Sequence, residues 1–188
     1  FKDQFLEPII LPDTVNTLIH RGDIFSIWVL DAERERITKY LKDRGYYNFS
    51  VNNIEYIADT LQGNRKVKVK MIVKQNLVGY NARGQAMYDN NVVYRLRNIN
   101  IIPNYHAARA KTQANYFDSL DSLEYRGLSV LFNSKRPNVR ERVLRGAIPL
   151  YPNYIYNASQ VNRTYSNLMA MGYFKSARIT FSEVKDTT

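Results

Sequence analysis

The chain has 188 residues, 45% of them apolar and 23% charged, a globular composition too apolar for intrinsic disorder and long enough for one large domain or two small ones. Its 27 Lys and Arg outweigh 17 Asp and Glu for a formal charge of +10, which favours acidic or amphipathic partners. The absence of Cys excludes a disulfide scaffold, a thiolate zinc site, a thiol nucleophile and an iron–sulfur cluster.

His20 and His106 each lack a second histidine at helical zinc spacing, and no apolar run approaches the roughly 20 residues that cross a bilayer. The chain opens Phe-Lys-Asp without an initiator Met or leader peptide, so it reads as a piece of a longer protein. The charge is uneven: residues 1–91 hold 13 basic and 11 acidic side chains, net +2, and residues 92–188 hold 14 and 6, net +8.

Asp13 after Pro12 suits the N-cap of a short helix over 14–21, which Gly22 stops. His20 then lies at that helix's C-terminal end, where a cation suits the dipole. Asp31 precedes a second, amphipathic helix over 32–41, with Ile37, Tyr40, Leu41 and Arg44 at helical spacing and Gly45 as its left-handed stop. Val51, Ile54 and Tyr56, then Val67, Val69, Met71 and Val73 alternating with lysines, predict two strands joined at Gly63-Asn64. Gly79, Asn81, Gly84, Asp89, Asn90 and Asn91 cluster next, which predicts a linker over 78–91.

Residues 92–101 and 123–132 read as two strands of the second half, with a polar, weakly helical stretch between them. Pro137 suits the first turn of a helix that runs to Arg145 and stops at Gly146. Asn157 or Ser159 opens another that stops at Gly172, and residues 178–181 alternate as a strand.

Superimposing the halves reveals an internal repeat. Leu41-x-x-x-Gly45-Tyr46-Tyr47 matches Leu168-x-x-x-Gly172-Tyr173-Phe174, Arg21-Gly22 matches Arg145-Gly146, and Ile54-Glu55-Tyr56 matches Ile179-Thr180-Phe181. The physical expectation is a helix ending on a glycine at positive φ, followed by two aromatics that plug the groove between helix and sheet.

The patterns Gly22-Asp23-x-Phe25, Glu33-Arg34-x-Arg36-Ile37 and Gly45-Tyr46-Tyr47-x-Phe49 resemble a POTRA module of BamA/TamA-like outer-membrane assembly factors, in the flavour of the Bacteroidetes-like surface antigens. So do Tyr154-x-Tyr156, Thr164-Tyr165-x-x-Leu168, Gly172-Tyr173-Phe174 and Ile179-x-Phe181. The resemblance implies an α+β fold of two tandem POTRA-like modules, each with two helices on a three-stranded mixed sheet, both truncated at an outer strand. Module one is expected over residues 1–77, with most of its first strand lost before Phe1. A linker spans 78–91, and module two spans 92–188, with an insertion at 105–123 and its last strand beyond Thr188. The resemblance further implies a periplasmic segment tethered through a barrel outside this sequence. It would bind unfolded outer-membrane proteins and accessory assembly lipoproteins without catalysis or a cofactor.

The second strand of such a module is a sheet edge, so Asn52, Asn53, Ile54, Glu55, Tyr56 and Ile57 are the candidate edge for an incoming extended client, with residues 176–182 as its counterpart in module two. Lys135, Arg136, Arg140, Arg142 and Arg145, opposed only by Glu141, form a basic stretch suited to an anionic membrane surface or an acidic partner. Gly45, Tyr46, Tyr47, Gly172, Tyr173 and Phe174 are the structural motif. Gly79 to Gly84 has phosphate-loop spacing, but Gln85 replaces the lysine such a loop needs. Glu33 and Glu35, like Asp118 and Asp121, read as solvated charges rather than paired carboxylates. The alternative function, a basic nucleic-acid-binding protein, draws on charge and 15 Tyr, but the motif aromatics fall at expected core positions rather than on a stacking platform.

Overall fold

The computed structural model of the chain describes residues 3–60, 65–134 and 136–184. Five α-helices and seven short strands lie among them, an α+β arrangement as expected. The chain divides into two compact units, one of Phe1–Tyr94 with Tyr156–Ala158 and one of Arg95–Ile155 with Ser159–Thr188. Among the described residues no helix is long and apolar enough to cross a membrane.

The first unit opens with α1 (Glu7–Ile10), which runs into a 3-10 turn at Leu11–Asn16. The helix expected over 14–21 stops at this turn. Asp13 does not cap it: its carboxylate is buried, accepts Asn16 Nδ2 at 2.8 Å and pairs with Arg36, and Thr17 is already extended at ψ 145. His20 therefore lies in an exposed loop, 3.3 Å from Asp23, rather than at a helix end.

The second helix, α2 (Ile27–Lys42), starts five residues before the sequence expectation, after an extended Ser26. Asp31 falls inside it and pairs with Arg34 at 3.0 Å. Glu33, Ile37 and Leu41, four apart, form its buried stripe. Gly45 at φ +101 turns the chain back, and Tyr46 N–H donates to Leu41 C=O at 3.2 Å, closing the helix end as a left-handed glycine does.

Behind α2, β1 (Ile54–Asp59) pairs antiparallel with β2 (Lys68–Val73) from Ile54↔Val73 to Asp59↔Lys68. The predicted turn at Gly63-Asn64 lies outside the described residues. The core gathers Leu6 and Ile10 of the N-terminal turns, Ile37 and Leu41 of α2, Tyr46, Phe49, Ile54 and Val73. Residues 76–89, which take in most of the linker expected over 78–91, form a hairpin of β3 (Asn76–Tyr80) and β4 (Ala86–Asp89). Asn81 builds its turn: its Oδ1 accepts the N–H groups of Arg83 and Gln85, both at 2.9 Å.

In the second unit, β5 (Asn100–Ile101) runs parallel to β7 (Leu128–Phe132), which pairs antiparallel with β6 (Asp121–Tyr125), in the order β5-β7-β6. The single strand expected over 123–132 is this hairpin. Arg126 and Gly127 both take positive φ, 49° and 74°, the geometry of a two-residue turn whose twist matches the strands. A Cβ on Gly127 would meet Pro152 Cδ at 2.9 Å. The insertion holds α3 (Ala107–Thr112), and two helices follow, α4 (Glu141–Ala147) and α5 (Ala158–Ala170). Pro137 does not open α4, which begins only after an extended Arg140, and Gly146 lies inside it rather than stopping it. Leu128, Val130, Leu144, Ile148, Leu150 and Leu168 are buried together there. The strand expected at 178–181 does not form: residues 173–184 are irregular and join no ladder among the described residues.

Candidate functional site

The predicted edge residues separate into anchors and edge proper. Ser50 donates its N–H and Oγ to Asn53 Oδ1 at 3.0 and 2.9 Å, and Asn53 Nδ2 donates to Gln75 C=O at 3.2 Å. Asn53 and Ile54 are buried, so they hold the strand's start rather than face solvent. From α2, Arg34 donates Nε and Nη2 to Val51 C=O at 3.3 and 3.1 Å and fixes the same turn. Beyond it, Ile57 is exposed and Glu55 pairs with Lys74 at 2.7 Å.

Ladder alternation sorts the backbone groups. Lys74 N–H donates to Asn53 C=O at 2.7 Å, and antiparallel pairs alternate between bonded and non-bonded. Glu55, Ile57 and Asp59 therefore turn their backbone groups toward β2, whereas Ile54, Tyr56 and Ala58 turn theirs away. Ile54 N–H already donates to Val51 C=O. The outward groups on offer are the N–H and C=O of Tyr56 and Ala58, together with Ile54 C=O, and no strand pairs with that side of β1 among the described residues. The Tyr56 ring packs on the core and its hydroxyl is buried without a partner among the described residues. Burial, with the nearby Glu33 charge adding to it, pushes this phenol up to about 12.

Glu33, read from sequence as a solvated charge, is 3% exposed. It accepts Thr17 Oγ1 at 2.8 Å, Leu18 N–H at 3.0 Å, and Arg36 Nε and Nη2 at 2.8 and 2.9 Å. Burial alone would raise the Glu33 carboxyl, but the Arg36 fork, the Leu18 amide and the Thr17 hydroxyl outweigh it and hold it below the usual range. Asp13 is likewise held low: burial opposes, and Arg36 and Asn16 prevail. This network fastens residues 13–18 to α2.

The two copies of the motif are used differently. Gly45 and Gly172 both take positive φ after a helix, 101° and 67°. Tyr46 is buried in the first core, and Tyr47 meets Tyr94 and Tyr156 edge-on at 5.9 and 5.1 Å. Tyr173, expected in the equivalent groove, is 50% exposed, while Phe174 packs on the second core.

Within the basic stretch, Lys135 lies outside the described residues. Arg136, Arg140 and Arg142 are exposed. Arg145 is buried and leaves the patch: Nη2 donates to the carbonyls of Ile148 and Leu150, and its guanidinium carbon lies 4.2 Å from the Tyr151 ring centre. Desolvation lowers its pKa, with Tyr151 opposing.

Sequence reasoning also missed a buried clasp. Asp3 Oδ2 accepts the N–H and Nδ2 of Asn91, both at 2.8 Å, across 88 positions. No local pattern announces a contact of that span.

Comparison with known proteins finds similarity in residues 1–76. A family model described as "POTRA: Surface antigen variable number repeat" matches residues 1–76. A search of curated protein sequences finds no match. A crystal structure of Haemophilus influenzae BamA POTRA3-5 is 13% identical, with 90% of this chain and 80% of that chain covered and a TM-score of 0.27. The N-terminal domain of Omp85 from Thermosynechococcus elongatus is 10% identical, with 94% and 84% covered and a TM-score of 0.23. Both superpositions are distant; the family match shows that residues 1–76 are similar to the POTRA family.

Proposed function

We propose that the chain is the client-binding POTRA segment of a BamA-like outer-membrane assembly factor. It stands in the periplasm, tethered through a barrel outside this sequence, and it binds rather than catalyses. Unfolded outer-membrane proteins are its clients, and accessory assembly lipoproteins dock on the same segment. The observation that supports this reading is the outer side of β1 in the matched domain, where Tyr56 and Ala58 present backbone donors and acceptors to no neighbouring strand among the described residues. An extended client satisfies those groups by adding a strand, and main-chain pairing accepts many sequences. Nucleic-acid binding gains nothing comparable, since Tyr46 is buried and Tyr47 is taken up in a cluster with Tyr94 and Tyr156.

The test is amide chemical-shift mapping with a peptide taken from an outer-membrane strand. Shifts are expected along β1, and Ala58→Pro should abolish them with modest loss of stability, because proline removes only an outward donor. Ile57→Pro should unfold the hairpin instead, since that donor faces β2. Shifts that cluster elsewhere, or none at millimolar peptide, would sink the proposal.

A further inference from the structure

The β3–β4 hairpin has the construction of a projecting arm. Its base is clamped by amides, buried at Asn53 and Asn91 and half-buried at Gln75 and Asn90: Asn53 Nδ2 to Gln75 C=O at 3.2 Å, Gln75 Nε2 to Asn90 Oδ1 at 2.8 Å, and Asn91 to Asp3. Its tip is fixed by Asn81, and Asn81 N–H also donates to Gln85 C=O at 2.9 Å. Yet the arm between them is apolar and exposed. Leu77 stands opposite Tyr88 and Tyr80 opposite Ala86, so all four share one face, on which Leu77, Tyr80 and Tyr88 are 47%, 68% and 58% exposed. An isolated two-stranded ribbon is marginal in water. One that displays such a face marks an interaction surface.

The edges say what that partner is. Soluble sheets blunt open edges with lysine, proline or bulges. Lys66, Lys68, Lys70 and Lys74 protect β2 in this way, and β3 is interrupted by a register shift between Leu77 and Gly79. The β4 strand, Ala-Met-Tyr-Asp, is short and ends in the charged Asp89, but it carries no lysine, proline or bulge of its own. With Asn81 and Gln85 bonded to each other, alternation turns the backbone groups of Ala86 and Tyr88 outward. A helix or a lipid could cover the apolar face but would leave these donors and acceptors to water; an extended strand covers the face and pairs with the edge.

We infer that β4 is a second strand-docking edge, which takes an extended segment of alternating apolar and polar residues and seats a large apolar side chain over Ala86, beside Tyr80 and Tyr88. This rests on the reading that the chain holds extended clients, but it names a different strand from β1. The probe is a peptide of about ten residues alternating Tyr or Leu with Thr or Ser, the period of an outer-membrane strand, titrated into the 188-residue chain with amide shifts followed at both strands. Ala86→Pro and Tyr88→Lys should each weaken the β4 response by about tenfold, the worth of one or two net hydrogen bonds, and leave the β1 response intact. Ala58→Pro should do the converse. Shifts confined to β1 overturn the inference and spare the first reading, and shifts on neither strand overturn both. Self-association of the free chain that Tyr88→Lys abolishes would also overturn it, because the face would then belong to a second copy.

Discussion

Glu33 and Glu35 stand two positions apart on one helix, and only the first is buried, where Arg36, Thr17 and Leu18 surround it. Replacing Glu33 with Gln should destabilise the chain at neutral pH by about 3 kcal/mol, because Arg36 then loses a charged partner in a poorly solvated site. Asp13 and Glu33 titrate lower in the folded chain than at their ordinary values of 3.8 and 4.5. The unfolded chain therefore takes up protons first as pH falls, so this stabilisation is complete above about pH 4.5 and is lost on descent through the folded values. Denaturant midpoints measured between neutral and acid pH should fall for the parent and fall less for Glu33→Gln; parallel curves would show that the network carries no linkage. The repeated aromatics make a second residue-scale contrast. Tyr46→Ala should cost about 3 kcal/mol, as other large-to-small core changes do, while Tyr173→Ala should stay within about 0.5 kcal/mol as a surface change. Equal costs would mean the two copies share one environment. Sequence exposed the glycines of the repeat, because positive φ after a helix is a local demand. It could not separate Tyr46 from Tyr173, because no local pattern says which of the two aromatics turns inward: Tyr46 does in the first unit, Phe174 in the second.

At the scale of elements, legibility followed how local the deciding interaction is. The core stretches of α2 and α5 were readable from apolar spacing and a terminal glycine. The true start of α2 was not, since Ser26 and the Ile27 turn carry no polar-apolar alternation and Asp31 resembles a cap. The stretch 78–91 is rich in turn residues and so reads as linker, although Asn81 and Gly84 specify a hairpin turn once the flanking residues pair. The helix expected over 14–21 failed for the opposite reason: a good local cap, Asp13, was claimed by Arg36 from another element. The basic stretch loses Arg145 to the interior, which leaves Arg136, Arg140 and Arg142 as its exposed described members. Changing these three to Gln should weaken binding to anionic vesicles, with the loss growing as salt is lowered because screening no longer masks the difference, and should leave the thermal midpoint unchanged. Vesicle binding that ignores the substitutions at low salt would return the three arginines to plain solvation.

At the scale of the molecule, the first unit is discontinuous: Tyr156–Ala158 belong to it although the rest of it ends at Tyr94. Tyr156 N–H donates to Tyr94 C=O at 2.9 Å, Asn157 Nδ2 donates to Asp43 C=O at 2.8 Å, and the Tyr156 ring meets Tyr47 edge-on. The Gly45-Tyr46-Tyr47 motif thus has two jobs. Tyr46 fills the groove of its own helix, and Tyr47 receives a segment that enters the unit late in the chain. Burial also raises the Tyr156 phenol above its ordinary value, with Tyr47 and Asp43 adding to the effect, as befits a ring held inside a fold rather than on a flexible joint. Tyr156→Ala should therefore destabilise the first unit by about 2 to 3 kcal/mol, the usual toll for deleting a buried aromatic together with its ring pairing. Hydrogen exchange locates the effect. Protection should drop at the end of α2 and at Tyr46 and Phe49, far from the substitution in sequence, while Tyr156→Phe should restore it because the ring contact survives without the hydroxyl. If protection in α2 is unmoved by Tyr156→Ala, the segment is a passenger and the first unit is complete without it.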